Sequence, residues 1–265
     1  MIFDTTEKLI RKMHPRRRIH CFCLGAAKTG TTSFASMFVT DYRSAHEPET
    51  VALTEAVAKI LDSCPSPGRA GEQRSEQKVA PGLDIAAWLQ ARDRRLNLEV
   101  EASHPLGYMA PWLPEAFPEA RFVITIRDPL RWLKSRLNFH YYKAPPEWQK
   151  YRDLIWSRWH RGYHREEKLL EESGLYSIDA YLAQYAEQYQ LLFRHLPEDR
   201  RLLVRTEELD TSAERIGAFL GIDPATITRQ HANAFSQEDN VMDRLPEAFV
   251  ARRIEAHCQW LKAVL

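Results

Sequence analysis

The run Lys28-Thr29-Gly30-Thr31-Thr32-Ser33 concentrates donors: one ammonium and, after Gly30, three hydroxyls in a row. Ahead of it Ile19 to Leu24 reads as a buried strand, and Gly25 opens a tight turn. Behind it Phe34-Ala35-Ser36-Met37-Phe38 suits a helix, expected over about residues 31–40. A strand, a glycine-containing loop and a helix start make a cradle for an anion. The first N–H groups of a helix have no partner within it, and its dipole is positive at that end. The chemistry open to these residues is to hold a phosphate or a sulfate. The nucleotide-triphosphate loop carries Lys directly after its second Gly. Here Lys28 precedes Gly30, and Thr31 stands in the Lys place.

Two further blocks have matching character. Ala120 to Ile126 is a second buried-strand pattern that runs into Arg127-Asp128-Pro129. Asp128 suits an N-cap and Pro129 the first helical position. The helix they predict carries Leu130, Leu133 and Leu137 on one face and Ser135 on a flank. Farther on, Arg201-Leu-Leu-Val-Arg-Thr-Glu-Glu-Leu209 reads as a strand and an acidic turn, and Glu214 to Gly221 as a helix closing on Phe-Leu-Gly.

These blocks, in this order, resemble sulfotransferases that use 3′-phosphoadenosine 5′-phosphosulfate (PAPS). The resemblance runs from about Cys21 to Gly221 and leaves out residues 50–95. It implies that Lys28, Thr29, Gly30, Thr31, Thr32 and Ser33 hold the 5′-phosphosulfate. It also implies that Arg127, at a strand end, and Ser135, eight residues later, hold the 3′-phosphate. The product would be 3′-phosphoadenosine 5′-phosphate (PAP).

Sulfuryl transfer needs a base for the acceptor hydroxyl, in-line alignment, and a cation on the leaving oxygen, for which Lys28 is suited. No metal is required in principle, and no metal-ligand spacing occurs. Two segments offer a base. His46-Glu47-Pro48-Glu49 follows the first helix, where glycan-modifying and trehalose-type bacterial sulfotransferases carry a catalytic Glu. Glu47 is the better positional match and Glu49 the reserve. Glu101-Ala102-Ser103-His104 follows another strand, where aryl and alcohol sulfotransferases carry a catalytic His. Glu47 is preferred over His104; a solvated loop carboxylate and a capping His are the plain alternatives. His46, Glu49, Glu101 and Ser103 are expected on the acceptor side. Tyr141 and Tyr142, read as part of a loop with Lys143, Pro145 and Pro146, are expected as acceptor walls suited to sugars or flat rings. Other aromatic residues of 132–163 read as helix core, with Trp148, Tyr151, Ile155 and Trp159 on one long helix.

The elements that must position these groups alternate between strand and helix. That pattern predicts an α/β fold with a central parallel sheet flanked by helices, in the P-loop-like sulfotransferase architecture. Ligands in such sheets bind beyond the carboxyl ends of the strands, where Lys28 and Arg127 both fall. Helices are expected over 1–14, 50–61, 84–94 and 177–196, a strand over 96–101, and loops over 41–49 and 64–82. The 265 residues, 44% hydrophobic, are enough for one sizeable domain spanning 1–265. With 37 basic and 36 acidic residues the net charge is +1, which argues against a general nucleic-acid binder. The basic run Arg16-Arg17-Arg18 reads as a solvated face. No signal peptide and no apolar run of membrane-spanning length are visible, and the four cysteines have no disulfide-like or zinc-like pattern. A cytoplasmic protein with a carbohydrate or small-molecule hydroxyl acceptor fits best. The acceptor's identity and the oligomeric state are not legible. The rival readings are a P-loop kinase or NTPase and a non-catalytic PAP-binding protein on the same fold. The first needs a Lys after Gly and an acidic magnesium ligand, whereas Asp128 reads only as a cap. The second needs a lost Lys or a lost base, and both are present.

Overall fold

The computed structural model describes residues 16–63, 84–142, 144, 149–228 and 240–264. The expected helix over 1–14, the expected loop over 64–82, and Lys143, Pro145, Pro146 and Trp148 lie outside them. The chain forms two compact units. The first comprises residues 1–53, 83–126 and 190–234, and the second 54–82, 127–189 and 235–265.

The first unit is built on five parallel strands: β1 (Cys21–Leu24), β2 (Ser44–His46), β3 (Val100–Ala102), β4 (Arg121–Ile126) and β5 (Arg201–Arg205), in the order β2-β3-β1-β4-β5. All four β1 residues are buried, as expected of the middle strand of a parallel sheet. Cys21 pairs with Val100 on one side and Arg121 on the other. Because every pairing is parallel, β1, β2, β3 and β4 leave the sheet at the same edge. The side chains of Cys21, Cys23, Val100, Ala102, Val123 and Val204 pack with Phe34, Ala35, Met37 and Phe38 after the first loop. Ala213, Ile216 and Leu220 of the helix Ala213–Leu220 complete that core.

Three boundaries differ from expectation for local reasons. Ser44–His46 is a strand, not loop, because it pairs with Val100–Ala102. The first helix is Thr31–Ser36 and stops short of residue 40. There Met37 N–H donates to both Ser33 O and Phe34 O at 3.1 Å, and Phe38 N–H to Ala35 O at 3.1 Å, so the next turn is tightened. The helix Ile85–Leu96, capped by Asp84, which accepts from Ala87 N–H at 2.8 Å, ends on Asn97 in the left-handed region. That turn delays the strand expected from Leu96 until Val100.

In the basic run Arg16 and Arg18 are exposed, as expected of a solvated face, but Arg17 and Arg18 are also anchored by ion pairs. Arg17 pairs with Asp93 at 2.7 Å, and Arg18 donates through Nε and Nη2 to Glu99 at 2.9 Å. Glu99 is fully buried and also accepts the Arg43 backbone N–H at 3.0 Å.

In the second unit Asp128 caps the helix Pro129–Tyr142, accepting from Arg131 N–H at 3.0 Å. Its buried face carries Trp132, Leu133, Arg136, Leu137 and His140. Leu130, expected on that face, is 48% exposed. The helix read through Trp159 ends at Trp156, with Trp159 in the turn that follows, its N–H on Trp156 O at 3.0 Å. The helix Ile178–His195 supplies Tyr181, which meets His140 Nδ1 at 2.7 Å, and Tyr185, whose ring lies 4.2 Å from that of Trp132. At its start Asp179 joins His164 at 3.0 Å and, from the helix Glu247–Cys258, His257 at 2.9 Å and Arg253 at 2.5 Å.

Among the described residues no helix is long and apolar enough to cross a membrane.

Candidate active site

The loop after β1 is fixed from within and from two neighbouring strands. Thr29 Oγ1 donates to Ala26 O at 2.6 Å and meets Thr125 Oγ1 of β4 at 3.0 Å. Thr206, just past β5, donates to Thr29 O at 2.7 Å and to Ile126 O at 3.0 Å. Gly25 is required by space: a Cβ there would lie 2.4 Å from Thr125 O. Gly30 is required by both space and conformation, with φ 97° and a Cβ that would meet Leu209 Cδ1 at 2.5 Å. Lys28 also takes the left-handed region, at φ 76°. For a residue with a side chain that conformation costs about 1–2 kcal/mol and is held only where surroundings impose it. Left-handed residues in such a loop shape a concave backbone that suits anions. The Lys28 ammonium and the hydroxyls of Thr31, Thr32 and Ser33 are the right chemistry for anionic oxygens.

The segment leaving β2 is the second part. Glu47 and Glu49, either side of Pro48, sit at φ 48° and 58°. Glu47 N–H continues the sheet by donating to Ala102 O at 2.9 Å. Arg92 clamps the turn: it makes two hydrogen bonds to Glu101, at 2.7 and 2.8 Å, and donates to Pro48 O at 2.7 Å. The register His46↔Ala102 carries His104, two residues beyond Ala102, alongside Glu47. The outcome is a short contact between Glu47 Oε1 and His104 Nδ1. His46 lies between this pair and the loop. Its Nε2 is 3.2 Å from Thr31 Oγ1, 3.1 Å from Thr32 Oγ1 and 3.4 Å from Glu47 Oε1. Burial lowers the His46 pKa from its ordinary value; Glu47 opposes that in part, and His104 adds to it.

One continuous path of polar contacts therefore runs from the anion loop through His46 and Glu47 to His104. Glu47 and His104, read from the sequence as competing bases, are partners. The remaining acceptor-side expectations fare differently. Glu101 is buried with Arg92, and Glu49 lies 2.7 Å from Arg95 and 3.4 Å from Arg92. Ser103 is fully buried, its N–H on Cys23 O at 2.9 Å. Tyr141 and Tyr142 are the last residues of the helix Pro129–Tyr142 rather than a loop, with rings edge-on at 4.7 Å. Arg127 directly follows β4 and Ser135 lies half-buried on that same helix; both belong to the second unit. Sequence reading passed over Arg92, Thr125 and Thr206, since a lone Arg in a helix or a lone Thr in a strand carries no distinctive spacing. Among the described residues no group of three or more His, Cys, Asp or Glu could hold a metal ion.

Comparison with known proteins decides the family. The sulfotransferase domain description matches residues 20–237. The chain belongs to the sulfotransferase domain family. As a sulfotransferase of this family it is similar to several solved structures. A sulfotransferase from Alicyclobacillus acidocaldarius is 17% identical over 91% of this chain and 96% of its own, with a TM-score of 0.41. Sulfotransferase STF9 from Mycobacterium avium is 13% identical over 97% and 81%, with a TM-score of 0.46. The sulfotransferase domain from the curacin biosynthetic pathway is 13% identical over 82% and 80%, with a TM-score of 0.43. No curated protein sequence matches the chain.

Proposed function

We propose that this sulfotransferase uses PAPS as donor and a hydroxyl of a carbohydrate or small natural product as acceptor. The loop Lys28–Ser33 takes the 5′-phosphosulfate, and Arg127 and Ser135 take the 3′-phosphate. The Glu47–His104 pair serves as general base. It accepts the hydroxyl proton while the acceptor oxygen attacks sulfur in line. The new S–O bond forms as the bond from sulfur to the phosphate bridging oxygen breaks, and that oxygen leaves with the electron pair as PAP. Lys28 offsets the charge that builds on the leaving oxygen. No metal enters this scheme. The chain acts without nucleic acid or membrane, and three buried free cysteines, Cys21, Cys23 and Cys258, suit the reducing cytoplasm.

The observation that carries this reading is the polar path from Thr31 and Thr32 through His46 to Glu47 and His104. It joins donor chemistry to proton-abstracting chemistry within the first unit.

Thermal unfolding with added nucleotide tests the donor. PAP at a hundredfold excess over its dissociation constant should stabilise the fold by about 2.7 kcal/mol. ATP with magnesium should do far less. Equal stabilisation by both, or none by PAP, overturns the donor assignment.

A further inference from the structure

His46, expected on the acceptor side from its sequence neighbourhood, lies against the loop after β1. Three oxygens converge on its Nε2: two threonine hydroxyls at 3.2 and 3.1 Å and the Glu47 carboxylate at 3.4 Å. A carboxylate only accepts hydrogen bonds, so a bare lone pair on Nε2 facing Glu47 would be repelled. The favoured neutral tautomer therefore carries its proton on Nε2, and burial, which lowers the His46 pKa, favours the neutral ring. With Nε2–H as the donor, Thr31 and Thr32 meet His46 through oxygen lone pairs. Each hydroxyl must then direct its own proton elsewhere. Thr31 is 3% exposed, which leaves few directions for that proton to point.

We propose that His46 is a positioning residue of the anion loop: Nε2–H holds the Thr31 and Thr32 oxygens and thereby turns both hydroxyl protons toward the 5′-phosphosulfate. This rests on the PAPS reading given above. His46 touches neither the sulfuryl group nor the acceptor in this role. It acts through the two threonines, and its effect belongs to the 5′ end of the nucleotide alone.

The test compares His46→Leu, which removes the donor, with His46→Gln, whose amide N–H reaches near the Nε2 position. Binding of PAP and of adenosine 3′-phosphate, which lacks the 5′ group, is measured by calorimetry, alongside KM for PAPS and kcat. His46→Leu should weaken PAP about tenfold and raise KM for PAPS similarly, the range for losing oriented donors to a charged group. Its kcat at saturating PAPS should change less than about threefold, and adenosine 3′-phosphate should bind as before. His46→Gln should recover most of the PAP affinity. Equal losses for both nucleotides, or a lost kcat with unchanged PAP affinity, overturn the proposal. If His46→Leu does not fold, His46→Asn replaces it, since its shorter amide cannot reach; equal behaviour of the Asn and Gln variants then overturns the proposal. A wild-type protein that binds no PAP overturns the donor reading and this inference together. A wild-type protein that binds PAP and a Leu variant that binds it equally overturn this inference alone.

Discussion

At the scale of single residues the Glu47–His104 contact changes the question put by the sequence. Two candidate bases, 57 positions apart in sequence, share one hydrogen bond. Groups that work as a unit lose function non-additively. Glu47→Gln and His104→Asn should each lower kcat by roughly two orders of magnitude, the scale of general-base catalysis. The double variant should cost little more than the worse single one, and PAP affinity should be untouched in all three. Steady-state kinetics on the four proteins gives the cycle. Fully additive losses would show two independent roles, and near-normal turnover in Glu47→Gln would leave the imidazole as base without it. Glu47 and His104 could each be singled out in the sequence, because each follows a recognisable element. Their partnership was not, since it depends on β2 lying against β3 with His46 opposite Ala102. For the same reason the nearness of His46 to Thr31 and Thr32 could not be read: it is a matter of tertiary placement. Glu101 looked available in sequence because its partner Arg92 lies on the preceding helix, where one Arg among several has no signature.

At the scale of elements, the donor loop is held by close backbone approach. Gly25 to Ala should force its Cβ against Thr125 O, 2.4 Å away, and against Thr29 Oγ1 at 2.8 Å. Neither neighbour is the far end of a flexible chain, so β1 or β4 must shift. A loss of about 1–3 kcal/mol is expected, read as a lower denaturation midpoint with the slope unchanged. A midpoint equal to the wild type would show that the loop has slack. The long elements were legible from pattern: β1, β4 and the helices starting at Thr50, Ile85, Pro129, Ile178 and Ala213 fall where periodicity and caps placed them. β2 was not, because three residues, Ser-Ala-His, all half-buried, show neither an apolar run nor alternation. Leu130 went astray because the buried face of its helix is centred on Trp132, Arg136 and His140, and the last two are polar groups that an apolar count discards.

At the scale of the whole molecule, each unit carries a carboxylate that holds several bases. Glu99 in the first unit gathers Arg18 and Arg43, and Asp179 in the second gathers His164, Arg253 and His257. Burial alone would raise the Glu99 pKa, but hydrogen bonds from Arg18 and Arg43 outweigh it and bring the value down from 4.5 to about 2. Asp179 is likewise lowered: burial opposes, and hydrogen bonds from His257, Arg253 and His164 prevail. A lowered folded-state pKa gives stability that is present above the unfolded-state value and lost as pH falls toward the folded-state one. For Glu99 that window runs from 4.5 down to about 2, and the stake is about 3 kcal/mol. Unfolding free energy followed from pH 7 downward should stay level and then drop through this window. Glu99→Gln should start lower at pH 7 and drop less. An identical pH profile in the variant would remove Glu99 from the account.

The edge position of β2 has a practical consequence. Among the described residues the strand is bonded on one flank, to β3, whereas β1, which carries the Lys28–Ser33 loop, is bonded on both. A central strand cannot be rebuilt without disturbing two neighbours, but an edge strand answers to one. On the function proposed above, the part of the site that would meet the acceptor thus hangs from the replaceable rim of the sheet, and the part that would meet the nucleotide from its fixed middle. Grafting foreign sequence over the Pro48–Glu49 turn, with His46 and Glu47 retained, is the natural way to retarget such an enzyme to a new alcohol while its nucleotide chemistry is inherited intact.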